Sequence, residues 1–348
     1  MHMADALISP AVGGTMWAVS GGLIAWCAAR VRRTARENLV PLMGVLGAFV
    51  FAAQMLNFSI PGTGSSGHLG GGLILTLLVG PYAAFLVMAS ILTVQALFFA
   101  DGGLLALGCN IFNLGFFPAF IAYPLIYRPL AGGQRSGARA AVAAIVAAVA
   151  GLLMGAFGVV VETRASGISE LPFGRFVTLM LPIHAAIGVV EGLATAAVVG
   201  LVARARPETI AADASAAPVP GRTLAALAVA AALLGGIGSW FASTHPDGLE
   251  WAIGRASGAE ELAAPAGGIH KRLAALQEKT AVLPDYGFAG AAESETDPEG
   301  AETAAAWPAV SAGTSVAGLV GAALTLAVAL AIGLLLRAGA NRRTATPA

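Results

Sequence analysis

Residues 139–161 read RAAVAAIVAAVAGLLMGAFGVVV, and behind Arg139 the stretch carries no charged side chain. About 20 residues of helix cross the roughly 30 Å of hydrocarbon in a bilayer, so this run is long enough to span one. Runs of the same kind recur at 11–29, 39–58, 69–80, 82–99, 108–127, 176–203, 223–242 and 311–336, which makes nine expected spans. The runs on either side of Gly80-Pro81 are short. They read equally as two short spans or as one bent, partly re-entrant element. The expected fold class is an all-α polytopic membrane protein.

Composition points the same way. Of 348 residues, 57% are hydrophobic and only 11% charged, with a mean hydropathy of +0.80. A soluble domain is roughly a quarter charged, so an ordinary soluble globule is excluded. The 45 glycines suit close helix–helix approach in lipid. Nineteen basic residues balance nineteen acidic ones, which leaves no surplus for a nucleic-acid partner. Cys27 and Cys109 both lie inside apolar runs, so neither a disulfide framework nor a cysteine metal knuckle is expected.

Basic residues collect on the cytoplasmic side of membrane proteins. With the N-terminus outside, nine spans put Arg30, Arg32, Arg33, Arg36, Arg128, Arg135, Arg139, Arg204, Arg206, Arg222, Arg337, Arg342 and Arg343 inside, 13 of the 19 basic residues. The short outer loops keep Arg164 and Arg175. The expected orientation is therefore N-terminus outside and C-terminus cytoplasmic. Residues 204–222, rich in Ala and Pro, read as a cytoplasmic linker. It divides a seven-span unit (1–203) from a two-span unit (223–348). Between the last two spans, residues 243–310 carry 11 acidic and 4 basic side chains. As an external segment it would attract cations weakly at physiological salt, or serve only as a solvated surface.

The first residues, MHMADALISPAV, have no basic n-region and include Asp5, so no signal peptide is expected. Histidine in second place is too large for methionine removal, and Met1 is expected to keep its free amine. That amine, the amide nitrogen of His2 and its Nδ1 close a five- and a six-membered chelate ring around one metal. Ionising an amide rewards only metals with a strong planar field, Ni(II) or Cu(II), with Co(II) possible; zinc prefers a tetrahedron. His68, at the end of the loop SIPGTGSSG (59–67), is the candidate for the fourth position, although a loop histidine also commonly faces water. Asn110 and Asn113 share one helix face, either as donors behind a site or as bonds between helices. His184 and Glu191 lie seven residues apart on one face of a span. An ionisable residue there is a functional candidate, as is a plain interhelical bond. The sequence contains no GxxxxGK[ST] phosphate loop and no HExxH, so neither P-loop ATP hydrolysis nor the commonest zinc-protease chemistry is expected.

Four stretches now carry a resemblance: MHMADALIS (1–9), GHLGG (67–71), QALFFADGG (95–103) and HAAIGVVEG (184–192). They resemble the substrate-specificity subunit of energy-coupling-factor nickel/cobalt transporters, the NikM/CbiM family. HPDGLE (245–250) and LPDYGF (283–288) are similar to the PDGLE-type accessory subunit of the nickel branch. The resemblance implies a fusion of the two: a seven-helix S-component bundle plus a two-helix accessory unit with an extracytoplasmic domain. It also implies a bacterial or archaeal cell-membrane location. Ni(II) or Co(II) would be the cargo, with no organic cofactor. A transmembrane coupling subunit and cytoplasmic ATPase subunits would be partner chains, and the chain itself no enzyme. Carried over, the family's metal site falls on Met1, His2 and His68. Asn110, Asn113, His184 and Glu191 stand as residues behind the site or in coupling, and His245 and His270 as conceivable helpers in loading. Met3-Ala4 departs from the family's more usual isoleucine followed by a small residue or proline, without touching a ligand. Two other readings remain open at this point. One is a secondary metal transporter with a Glu191–His184 proton relay. The other is a membrane enzyme on that pair, for which no nucleophile or ligand set is visible.

Overall fold

The computed structural model describes residues 1–34, 39–134, 136–205, 220–259, 262–288 and 307–344. Most of linker 204–222 and part of segment 243–310 lie outside these residues, as do Arg36, Arg135 and Arg206. The chain is mostly helical. Six helices are long and apolar enough to cross a membrane: α1 (Pro10–Arg33), α4 (Pro81–Phe98), α5 (Leu107–Ala131), α6 (Ala138–Ser166), α7 (Phe173–Arg204) and α11 (Ala312–Gly339). Two apolar helices are shorter, α2 (Leu39–Gln54) and α8 (Gly221–Gly236).

The remaining apolar run, 69–80, forms only α3 (Gly72–Val79). Eight residues rise about 12 Å, too little to cross by themselves. Backbone punctuation explains the shortfall. Gly71 takes a left-handed φ of 76° at one end, and at the other Gly80 (φ 82°, ψ 162°) breaks the helix before Pro81 starts α4. All eight residues are buried, so α3 is a core plug rather than a lipid-facing span. α5 departs from regularity too. Its middle, Phe112–Tyr127, is wound as a π-helix containing Pro118 and Pro124; each proline lacks an N–H, and wide turns accommodate the gaps.

Small residues set the packing distances. Gly188 and Gly192 on α7, one turn apart, lie directly against the backbone of Val149 and Ile145 on α6. The C-terminal pair behaves likewise: Gly235 on α8 faces the backbone of Gly318 on α11. α11 and α8 both pack on α2, where Gly321 receives the ring of Phe51 and Gly47 sits beneath Thr325. In lipid there is no hydrophobic drive between helices, so such close backbone contact supplies the attraction.

Two short strands, β1 (Phe58–Ile60) and β2 (Ser65–Gly67), pair antiparallel and form the hairpin that carries His68. Two further helices, α9 (Gly248–Ser257) and α10 (Gly268–Thr280), belong to the segment between α8 and α11. They pack over the N-terminus.

A side chain at Gly318 would collide with the backbone of Gly235, whereas Gly14 faces open space. Gly318→Leu should therefore destabilise the detergent-solubilised protein by about 1–3 kcal/mol, and Gly14→Ala should leave it no less stable, with a gain of up to about 1 kcal/mol. Equal melting temperatures for the two variants would refute this packing.

Candidate metal centre

The first eight residues run inward. Met1 is 6% exposed, and Met3, Leu7 and Ile8 are essentially buried. The segment is extended at Ala4, makes a single 3-10 turn at Asp5–Leu7, and is held by distant partners. Met3 N–H donates to Asn110 Oδ1 (2.8 Å), while Asn110 Nδ2 and the N–H of Gly103 donate to the Met3 carbonyl. Asp5 accepts from Ala106 N–H at 3.0 Å. Nε2 of His270 reaches the Ile8 carbonyl at 2.9 Å. Asn110 thus acts on the N-terminal segment through Met3 and not on the imidazoles.

This threading places the α-amine among polar partners. The ammonium of Met1 donates to Asp247 Oδ2 at 2.7 Å and lies 3.3 Å from Nε2 of His68. The His2 and His68 rings stand 5.0 Å apart. His68 Nδ1 is 3.1 Å from the Leu69 carbonyl. An N–H there donates to that carbonyl and leaves the Nε2 lone pair aimed at the amine. Burial, then the ammonium charge and His2, push the His68 pKa down to about 3. Its imidazole is accordingly neutral, the form that ligates metal.

Nδ1 of His2 lies 2.7 Å from Asp101 Oδ1, and its Nε2 is buried without a partner among the described residues. The expected chelating nitrogen therefore faces a carboxylate rather than the amine: a buried carboxylate takes the nearest N–H. Asp101 is also bonded by the Tyr286 hydroxyl. Burial works to raise the Asp101 pKa, but His2 and Tyr286 outweigh it and hold the group at about 2. Tyr286 stacks on Phe99 and, like Asp285 beside it, adopts a left-handed backbone (φ 59° and 50°), a conformation that costs a non-glycine residue of order 1–3 kcal/mol. The contact with Asp101 is what that strained turn delivers.

Within the string HPDGLE, Asp247, Gly248 and Glu250 each have a physical reason. Asp247 is the N-cap of α9: its Oδ1 accepts from the N–H groups of Leu249 and Glu250 (both 2.8 Å), and Glu250 reaches back to Asp247 N–H. This is a capping box. The other oxygen, Oδ2, holds the amine. Burial alone would raise the Asp247 pKa; the ammonium and His68 hold it well below the usual carboxylate range. A Cβ at Gly248 would stand 2.6 Å from Ile183 and 3.2 Å from His184, so no larger residue fits. The Pro246 carbonyl accepts from Ser66 N–H at 2.8 Å, and Trp251 Nε1 donates to the Thr63 carbonyl at 3.0 Å. The accessory motif is thus stitched to the His68 hairpin.

Glu191 and His184 do not pair. Glu191 accepts from Gly70 and Gly71 N–H (2.9 and 3.2 Å), and Gln54 Nε2 holds the Gly70 carbonyl at 2.8 Å. Glu191 therefore fixes the turn just after His68. His184 Nδ1 bonds the Met180 carbonyl at 2.8 Å. Asn113 lies apart and donates to Glu162 at 2.7 Å. His245 is exposed, its carbonyl accepting from Ser66 Oγ and its N–H donating to Ser243 Oγ. Sequence reasoning missed Asp101 and Asp247 as partners of the N-terminus. Asp247-x-x-Glu250 is a capping box legible in the sequence, but no local pattern shows that it meets Met1. Among the described residues no three His, Cys, Asp or Glu side chains cluster to hold a metal.

Comparison with known proteins follows the same two halves. Residues 2–209 match the model of CbiM, a cobalt uptake substrate-specific transmembrane region, and residues 221–338 match the PDGLE domain. A putative fused nickel transport protein NikMN of Archaeoglobus fulgidus is 34% identical over 339 residues, covering 95% of this chain and 98% of that one. The fused nickel transport protein NikMN of Rhodobacter capsulatus is 30% identical, covering 82% and 88%. A crystal structure of a transition metal transporter superposes with a TM-score of 0.52 at 27% identity, over 59% of this chain and 93% of its own.

Asparagine caps a helix as well as aspartate but brings no charge to the amine. Asp247→Asn should keep the cap of α9 while a charge-assisted bond of about 1.5–3 kcal/mol is lost, and melting should fall accordingly. Acylation of the Met1 α-amine, followed by peptide mass spectrometry, should then run about tenfold faster or more. Equal acylation rates would mean that Asp247 does not hold the amine.

Proposed function

This chain belongs to the CbiM family of cobalt uptake substrate-specific transmembrane regions, with a PDGLE domain behind it, and from that membership we propose that it is the metal-capturing subunit of a nickel importer. It is a multi-pass membrane protein of the nickel/cobalt transport type. The ion is taken up outside by four nitrogens: the Met1 amine, the His2 amide, the His2 imidazole and His68 Nε2. The observation that carries this reading is the buried Met1 amine, 3.3 Å from a neutral His68 whose other nitrogen is committed to a carbonyl. Nickel comes before cobalt because a planar nitrogen set suits a d8 ion and because the fused relatives bear nickel names. A cobalt importer of the same build is the second reading, favoured by the name of the matching family.

Capture rearranges the inner contacts. The amine and the His2 amide must each release a proton to solvent, and the amine loses with it the ion pair to Asp247. Turning the His2 ring about Cβ–Cγ exchanges Nδ1 with Cδ2. Nδ1 then faces the chelate and gives up its bond to Asp101. Two carboxylates thus remain beside the cation. In the proposed architecture, residues 1–203 form a seven-span S component and 223–348 a two-span accessory unit, joined by linker 204–222. The N-terminus and segment 243–310 lie outside and the C-terminus lies in the cytoplasm. α3 counts there as a partial span. ATP hydrolysis belongs to separate cytoplasmic chains, joined through a transmembrane coupling subunit. A Glu191–His184 proton relay loses its support, since Glu191 is committed to Gly70 and Gly71.

The test compares the native N-terminus with a chain extended by a few residues before Met1, which removes the amine and keeps every histidine. Purified native protein should retain about one nickel per chain and the extended form none; equal retention would refute the site. Affinity should rise with pH, because the donors bind as bases. His68, already neutral above about pH 5, adds nothing to that slope. Glu191→Gln, which loosens the turn that aims His68, should weaken nickel binding about 10- to 100-fold. An unchanged dissociation constant would deny Glu191 that role.

A further inference from the structure

His184 is 1% exposed, and its Nε2 has no hydrogen-bond partner among the described residues. Nδ1 lies 2.8 Å from the Met180 carbonyl in the preceding turn of α7, so the N–H sits on Nδ1 and the Nε2 lone pair is bare. Burying such an acceptor unsatisfied is costly. His184 also lines a cavity. It shares with Met1, His68 and Asp247 the wall of a space of about 10 Å³, which one water-sized particle fills. The other side chains of that wall include Leu114, Leu152 and Ile187, none of which donates to a cation. An imidazole with one nitrogen tied to a carbonyl and the other bare is how proteins present a histidine ligand.

An ion held by four coplanar nitrogens is blocked along the equatorial directions and leaves along the axis of the plane. A donor off the N-terminal chelate, in the same small cavity, is placed to receive it. We propose that Nε2 of His184 is a second binding position for the divalent metal, occupied after the ion leaves the N-terminal chelate and before it moves inward. His184 is then a transient ligand and not part of the resting site. Its place on α7, in the helix that also carries Glu191, ties the receiving ligand and the turn that aims His68 to one rigid element. A shift of α7 moves both together. The proposal rests on the capture reading above.

Two experiments test it. His184→Asn keeps a donor for the Met180 carbonyl and removes the imidazole. The variant should bind one nickel within about threefold of the native affinity, with the planar absorption spectrum intact. In vesicles bearing the complete ATP-driven transporter, its nickel uptake should fall at least tenfold. Native uptake would overturn the proposal. So would loss of equilibrium binding in a variant that melts like the parent, since His184 would then serve the resting site. Should the variant fail to fold, X-ray absorption at the nickel edge decides with the unaltered protein. Samples frozen during ATP turnover should show a fraction of nickel in a non-planar, histidine-containing environment, absent at rest. An unchanged planar spectrum throughout turnover would overturn the idea. The N-extended chain separates the two levels: nickel retained there sinks the capture reading itself, whereas native uptake by His184→Asn sinks only the second position.

Discussion

A charged amine buried away from water must have its partners beside it, and the architecture around Met1 follows from that requirement. Charges that leave water without compensation cost far more than a helix contact returns. Asp247 supplies the opposite charge and His68 a neutral acceptor. Each of these is braced in turn: Asp247 by the cap of α9, His68 by the Leu69 carbonyl and the Glu191-held turn. The segment from Met3 to Ile8 is then pinned by Asn110, Gly103, Ala106 and His270, which come from two distant parts of the chain. The terminus is ordered because its end group has nowhere else to be solvated.

The accessory domain is accordingly more than an appended helix pair. Its two motifs grip opposite sides of the centre. HPDGLE closes on the amine and the His68 hairpin, and LPDYGF closes on Asp101 through the strained Tyr286. Gln277 adds bonds to the carbonyls of Ala96 and Gly102 from α10. The helices α8 and α11 anchor this clasp by close glycine contacts to each other and to α2. The fused chain keeps the grip and the site at a fixed stoichiometry.

Much of this was legible in the sequence, for reasons that differ from residue to residue. Apolar runs announce helices because hydrocarbon imposes length and composition together. A Met1–His2 chelate can be proposed from sequence alone because its ring sizes are set by covalent geometry. What local pattern does not carry is which distant residues meet. Asp247 lies 246 positions from Met1, and Asp101 meets His2 only through the fold. His184 and Glu191 share a helix face, yet one bonds its own preceding turn and the other the His68 loop. Residues 69–80 have the composition of a span but are cut by Gly71 and Gly80, whose backbone angles hydropathy does not record.

The Asp247 carboxylate serves two structures at once, with one oxygen for the first turn of α9 and the other for the amine. Because the two duties fall on different atoms, they uncouple. When the amine is drawn away, the cap persists and α9 keeps its form. The motif therefore opens like a latch whose hinge stays intact: letting go of the terminus breaks a single ion pair, with no local unfolding and no refolding step before the next closure.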